Sequence, residues 1–156
     1  IERVKKCVIQ NKNQDVELKY ELDLVRIDHD NKTIEPVDVK TIGTSVYQFP
    51  FNFWKYRYDF QAAAYSMACL DHFKLLIQDG YRLLNFKFVV CEVNSINPPM
   101  VYKVSDNSMR IGVNGGETPA YNKEGFVSAL TRYKWHTEND MWEYPREYYT
   151  NGYIEI

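Results

Sequence analysis

The sequence is poor in the residues that staple small folds or hold zinc. Its three cysteines, Cys7, Cys69 and Cys91, are odd in number, widely spaced and form no Cys-x-x-Cys pair. That excludes a disulfide framework and a structural zinc site, and the three read as buried free thiols in a reducing cytoplasm. The three histidines, His29, His72 and His136, share no metal-ligand spacing, so a zinc hydrolase is excluded too. No apolar run approaches the roughly 20 residues that span a bilayer, and no charged segment leads into an apolar one as in a signal peptide. No membrane association is expected, and a cytoplasmic setting is. The chain opens on Ile1 rather than Met, which reads as an excised segment with something upstream. There are no repeats and no low-complexity linker.

Excess positive charge is also missing. The formal net charge is −2, where a simple nucleic-acid-binding protein is usually basic. The distribution weakens that exclusion. Between Thr137 and Ile156, Glu138, Asp140, Glu143, Glu147 and Glu155 stand against Arg146 alone, so the rest of the chain carries +2.

What is present fits one domain, residues 1–156. A chain of 156 residues encloses one hydrophobic core but not comfortably two. Aromatic residues make up 15%, with 13 tyrosines, so ring packing should carry much of that core. Val16 to Ile27 alternates Leu18, Tyr20, Leu22 and Leu24 with Lys19, Glu21 and Asp23, as a strand does. Asp28 to Lys32 reads as a hairpin turn, and Thr33 to Thr41 as the second strand. Gly43 to Tyr56 reads as an aromatic-rich loop broken by Pro50. The alanine-rich stretch from Tyr58 to Gln78 predicts one helix, with Gly80 as its stop. Leu83 to Val93 reads as a strand buried on both faces, and Met100 to Val104 as another. Thr118-Pro119 reads as a helix start, the helix running past Arg132. The order β-β-α-β-β-α predicts an α/β fold, a central mixed sheet flanked by helices. The core is expected over about residues 16–135, with an aromatic, acidic tail over 137–156.

The first two strands permit a register argument. With the hairpin centred on Asp30 and Asn31, Asp23 falls opposite Asp38 and Glu21 opposite Lys40. Glu21, Asp23, Asp38 and Lys40 then share one face, and Leu22, Leu24, Val37 and Val39 line the other and enter the core. Pro36 could bulge the strand and shift the pairing. Two facing aspartates repel each other unless a cation lies between them. A hard dication suits carboxylate oxygens, activates a bound water and offsets charge on a phosphate. Lys40 would orient that water or neutralise the developing charge. The plain alternative is a solvated hairpin face with Lys40 in a surface ion pair.

Asp23 followed fifteen residues later by Asp38-Val39-Lys40 resembles the core of the PD-(D/E)XK nucleases. The helix that follows strengthens the likeness. Arg57-Tyr58-Asp59-Phe60-Gln61-Ala62-Ala63-Ala64-Tyr65 is similar to the Q-x-x-x-Y element of RecB-type nucleases, and Tyr56-Arg57-Tyr58 with Gln61 and Tyr65 resembles the RecE-type phage exonucleases. Gln61 and Tyr65 lie four apart, on one helical face. The resemblance covers residues 16 to 105 and implies a restriction-endonuclease-like core hydrolysing DNA phosphodiesters with Mg²⁺ or Mn²⁺. It makes Asp23, Asp38 and the Val39 carbonyl metal ligands, sets Lys40 beside the attacking water, and has Gln61 and Tyr65 position the scissile region. One departure stands out. The RecE and RecB types supply a further His and Glu from a helix ahead of the first strand, whereas the residues before Val16 contain no histidine.

Trp54, Lys55, Tyr56 and Arg57 interleave rings and bases, and Lys55, Arg57 and Tyr58 are the candidate DNA contacts. A packed loop with a solvated rim would read the same way. The aromatic tail, with Trp142, Tyr144, Tyr148, Tyr149 and Tyr153, should pack on the domain or on a neighbouring subunit; ring-shaped homo-oligomers occur in the family. The leading expectation is an exonuclease on linear double-stranded DNA in recombination, repair or phage replication. An endonuclease on the same fold, structure- or site-specific, and a non-catalytic DNA-binding module stand beside it.

Overall fold

A computed structural model describes residues 1–93, 95–118 and 122–155. Its sheet is mixed, ordered β1-β2-β3-β5-β6, with β4 beside one end of β3. The strands are β1 (Glu2–Asn13), β2 (Val16–Asp28), β3 (Thr33–Ile42), β4 (Arg82–Leu83), β5 (Lys87–Glu92) and β6 (Met100–Lys103). β1, β2 and β3 are antiparallel neighbours, β3 and β5 run parallel, and β6 returns antiparallel to β5. A parallel pair needs a long crossover. Here it is α1 (Phe49–Lys55), α2 (Tyr58–His72) and α3 (Lys74–Gln78). The chain continues through α4 (Asp106–Asn114), a small hairpin of β7 (Gly115–Glu117) and β8 (Asn122–Glu124), α5 (Phe126–Asn139) and α6 (Arg146–Asn151). The expected architecture, a central mixed sheet flanked by helices, is the one observed.

From Leu24–Val37 to Asp28–Thr33 the β2–β3 register is the one the sequence predicts, whereas the expected pairs Asp23–Asp38 and Glu21–Lys40 lie beyond the ladder. Leu24 pairs with Val37, Val25 with Pro36, and so on to Asp28 with Thr33. Pro36 causes no slip. It lies beyond the β4 partners of β3 and before its β5 partners, which begin at Val37, so its missing N–H interrupts neither ladder. Asp28 fixes the turn: Oδ1 accepts from the amides of Asp30 and Asn31, each at 3.1 Å, and Oδ2 from Asn31 Nδ2 at 3.1 Å.

β1 was not anticipated, and its inward spacing explains why. Lys6 has φ 48°, and the inward residues change from Val4 to Cys7 and Ile9 across it, which breaks a two-residue period. The Gly43–Tyr56 loop is a correction: Val46–Gln48 forms a 3-10 turn and α1 follows, with Pro50 in its first turn, where a missing N–H is harmless. The single helix to Gln78 is two, broken at Phe73 (φ −97°, ψ 21°); Gly80, at φ +87°, is the expected stop. The Leu83–Val93 strand divides into β4 and β5, with Phe88 and Val90 fully buried and Val89 and Cys91 half-buried. The helix expected from Thr118 begins only at Phe126, after β8; Pro119 itself falls outside the described residues. α4 escaped notice although Ser105 caps it, its Oγ accepting from the Ser108 amide at 3.1 Å.

The core lies between the sheet and α2. Phe49, Phe86, Phe88, Leu22, Ile34, Val25 and Val90 are fully buried, each such side chain stabilising by about 1.5–3 kcal/mol. The rings of Phe49, Phe86, Phe88 and Tyr102 meet at 5.0–5.4 Å. Small residues let the helices close in: a Cβ on Gly112 of α4 would sit 2.2 Å from the Asp59 carbonyl oxygen of α2. No described helix is long and apolar enough to cross a membrane.

Candidate active site

The regular β2–β3 ladder stops at Leu24 and Val37, one pair short of Asp23 and Asp38. Beyond that point a side chain replaces backbone pairing, and Asp23 Oδ2 accepts the Val39 amide at 2.7 Å. On the other side of β2, the β1 ladder also omits a pair, Lys6 opposite Asp23. Asp23 thus sits at a break in both ladders. Alternation in β2 changes there, with Tyr20 and Leu22 inward before it and Val25 and Ile27 inward after it.

That break corrects the assignment of faces. On β3 the side covered by α2 carries Ile34, Pro36, Asp38 and Lys40, and Asp38 is in register with the buried Phe88 of β5. Val39, expected in the core, points to the opposite side and is 47% exposed. Glu21 is exposed, between the buried Tyr20 and Leu22. The Asp-x-Lys face is therefore an interior one, between sheet and helix.

α2 completes the cluster. Gln61 Nε2 donates to Asp38 Oδ1 at 3.1 Å, and Lys40 Nζ lies 2.8 Å from Asp38 Oδ2. Oδ2 is buried, with the Lys40 ammonium beside it. Tyr65, one turn beyond Gln61, packs edge-on against Tyr20 and Phe86. Burial pushes the Asp38 carboxyl above its ordinary range and Asp23 adds to this, against Lys40 and Gln61. Burial likewise raises the Tyr65 hydroxyl, with Asp38 and Asp23 adding to it and Gln61 opposing. Asp23, Asp38, Lys40, Gln61 and Tyr65 are thus brought within electrostatic reach of one another.

The charges of this group do not balance, since Asp23 and Asp38 face one Lys40. Among the described residues no group of three or more His, Cys, Asp or Glu side chains forms a metal cage. The donors on offer are the two carboxylates. That set suits a hard dication that keeps several waters and would not hold a soft metal.

The three candidate DNA contacts diverge. Lys55 is exposed, its Nζ 5.2 Å from the centroid of the Tyr56 ring. Arg57 turns inward in a left-handed conformation (φ 59°). Its guanidinium holds the fully buried Asp59 at 3.1 and 3.2 Å and donates to the Glu124 carbonyl at 2.5 Å. Tyr58 stacks on Phe49 (5.6 Å, 16°), meets Phe88 and carries Lys40 Nζ 4.7 Å from its ring centroid. The sequence held a signal for this, because Tyr58, Gln61 and Tyr65 are spaced three and four apart on one helical stripe.

No family model matches the chain, and no curated protein does. Among solved structures the fold is similar to a "Putative exonuclease" from Eubacterium rectale, at 14% identity and a TM-score of 0.57, covering 98% of this chain and 53% of that one. It also overlaps the protein SSO0001 at 12% identity and a TM-score of 0.46, covering 97% of this chain and 56% of that one. The chain spans about half the length of each.

Proposed function

We propose that this chain is a nuclease domain that hydrolyses DNA phosphodiester bonds with a hydrated Mg²⁺ or Mn²⁺, and that its preferred substrate is linear double-stranded DNA with an end. The observation that carries the reading is Asp38: a buried carboxylate beside a second carboxylate, Asp23, with Lys40 the one cation in ion-pair reach of it among the described residues. Asp23, Asp38 and the Val39 carbonyl would hold the metal, which when bound supplies an activated water and charge neutralisation at phosphate. With Lys40, the two aspartates and a dication sum to one positive charge, which a phosphodiester cancels. Lys40 holds its ammonium at the Asp38 edge, where it orients a nucleophile or meets the developing oxyanion. Gln61 fixes the Asp38 carboxylate by its 3.1 Å hydrogen bond, and Tyr65 closes the same helical face. The exonuclease preference rests on the Q-x-x-x-Y likeness and on the fold shared with the Eubacterium rectale protein.

The test is digestion of linear and covalently closed circular DNA side by side, with Mg²⁺, with Mn²⁺ and with EDTA, using wild type and Asp38→Ala. Metal-dependent loss of the linear form alone, absent from the variant, supports the reading. Cutting of the circle turns it into an endonuclease. No cleavage by the wild type in either metal sinks it.

A further inference from the structure

Lys40 carries a flexible four-carbon stem, and a catalytic ammonium on such a stem works only if something holds it. Asp38 holds one side of it at 2.8 Å. The other contacts are aromatic: Nζ stands 4.7 Å from the ring centroid of Tyr58 and 5.8 Å from that of Phe88. The negative face of a ring attracts a cation, more strongly where water is excluded, and the Lys40 side chain is only 20% exposed. The Tyr58 ring is itself clamped, by stacking on Phe49 and by Phe88 at 5.6 Å. Its backbone is set by the residue before it, where the left-handed Arg57 is locked onto Asp59 and the Glu124 carbonyl.

We propose that Tyr58 is a positioning residue whose ring holds the Lys40 ammonium against Asp38. Arg57 acts one step further back, by fixing where α2 and its first ring begin. This rests on the nuclease reading above and changes the part played by two residues whose types suggest DNA contact. Among the described residues no hydrogen bond engages the Tyr58 hydroxyl, so a phenyl ring should serve as well.

The experiment compares Tyr58→Met, which keeps apolar bulk without a ring, with Tyr58→Phe and wild type. Tyr58→Leu takes its place if the Met variant does not fold. Two quantities are read. One is the Lys40 ε-methylene resonance in lysine-labelled protein, assigned by its loss in Lys40→Arg; a ring over the ammonium shifts it upfield. The other is kcat and KM for DNA cleavage in Mg²⁺. The expected result is an upfield resonance in wild type and Tyr58→Phe that moves back in Tyr58→Met. With it, kcat falls about 10- to 100-fold in Tyr58→Met, KM changes little, and Tyr58→Phe regains most of kcat. A folded Tyr58→Met with wild-type kcat overturns the inference, as does a Lys40 resonance indifferent to the ring. A Tyr58→Phe as impaired as Tyr58→Met overturns it as well, by assigning the effect to the hydroxyl. A wild type that cuts no DNA removes the nuclease reading and this inference together, whereas a cutting wild type matched by Tyr58→Met removes this one alone.

Discussion

Two buried acids on β3 make an instructive pair. Glu35 and Asp38 are three residues apart and equally hidden, each 5% exposed, but on opposite faces of the sheet. Glu35 is flanked by two cations, Lys87 Nζ at 2.5 Å and Arg26 Nη1 at 3.5 Å. Asp38 has one cation, Lys40, and a neighbouring carboxylate, Asp23, and its carboxyl is raised. A buried charge with an excess of partners is part of the structure, whereas a buried charge short of partners leaves room for the dication proposed above. The difference lies in what the neighbouring strands and helix bring. β2 and β5 supply Arg26 and Lys87 on one face, and α2 supplies only the neutral Gln61 on the other.

The comparison is most easily broken by activity. Asp38→Asn should lower cleavage about 10³-fold, the loss expected when a ligand and its charge are removed from the reacting centre, while circular dichroism stays native. Glu35→Gln, assayed well below its melting temperature, should cut within about twofold of wild type. Equal losses in the two variants would mean that both acids are structural and that the contrast is empty.

Metal binding comes next. A dication at 100 times its Kd adds about 2.7 kcal/mol to stability, which for a chain of this size is a Tm rise of about 5–10 °C. Scanning calorimetry with and without Mg²⁺ should show the rise in wild type and in Glu35→Gln but not in Asp38→Asn. A rise surviving in Asp38→Asn would place the metal elsewhere.

Stability separates the two acids in the opposite sense. Glu35→Gln leaves Arg26 and Lys87 without their partner, and both are partly exposed. The expected cost is therefore about 1–2 kcal/mol rather than that of a fully buried pair, a Tm drop of about 2–8 °C. An unchanged Tm would show that water already serves these cations.

The smallest effect belongs to an ordinary surface pair. Glu124 is held below the usual carboxylate range chiefly by its hydrogen bonds from Arg132. A lowered folded-state pKa stabilises above the unfolded value, near about pH 4.3 for Glu, and that stability is lost as pH falls through the lower folded value. Arg132→Met should therefore lower Tm by no more than about 2 °C at pH 7, the gap closing in acid. A gap constant from pH 7 to 3 would assign the loss to packing instead.

The hairpin was legible because local chemistry fixes it: Asp28 to Lys32 can only turn, and the alternation on either side leaves one sensible register. The stripe of Gln61 and Tyr65 was legible from helical spacing. β1 was not, because Lys6 shifts its inward residues by one place. The 43–56 segment was not, because Pro50 marks a helix start as readily as a loop. The partners of Arg57 were not legible either, since no sequence pattern foretells that its guanidinium pairs with the buried Asp59 and the Glu124 carbonyl.

The sequence by itself determined which residues lie opposite each other near the hairpin turn, from Leu24 and Val37 inward, and which share a face of α2, because both follow from fixed backbone periods. Only the tertiary structure decided that the Asp38 and Lys40 face of β3 is the covered one and that Val39 looks outward. A two-residue period defines two faces but cannot say which one a helix will cover. That choice was made by Gln61 and by the rings of Tyr58 and Phe88, which reach Asp38 and Lys40 from α2 and β5 and set the burial, the missing charge and the hold on the lysine.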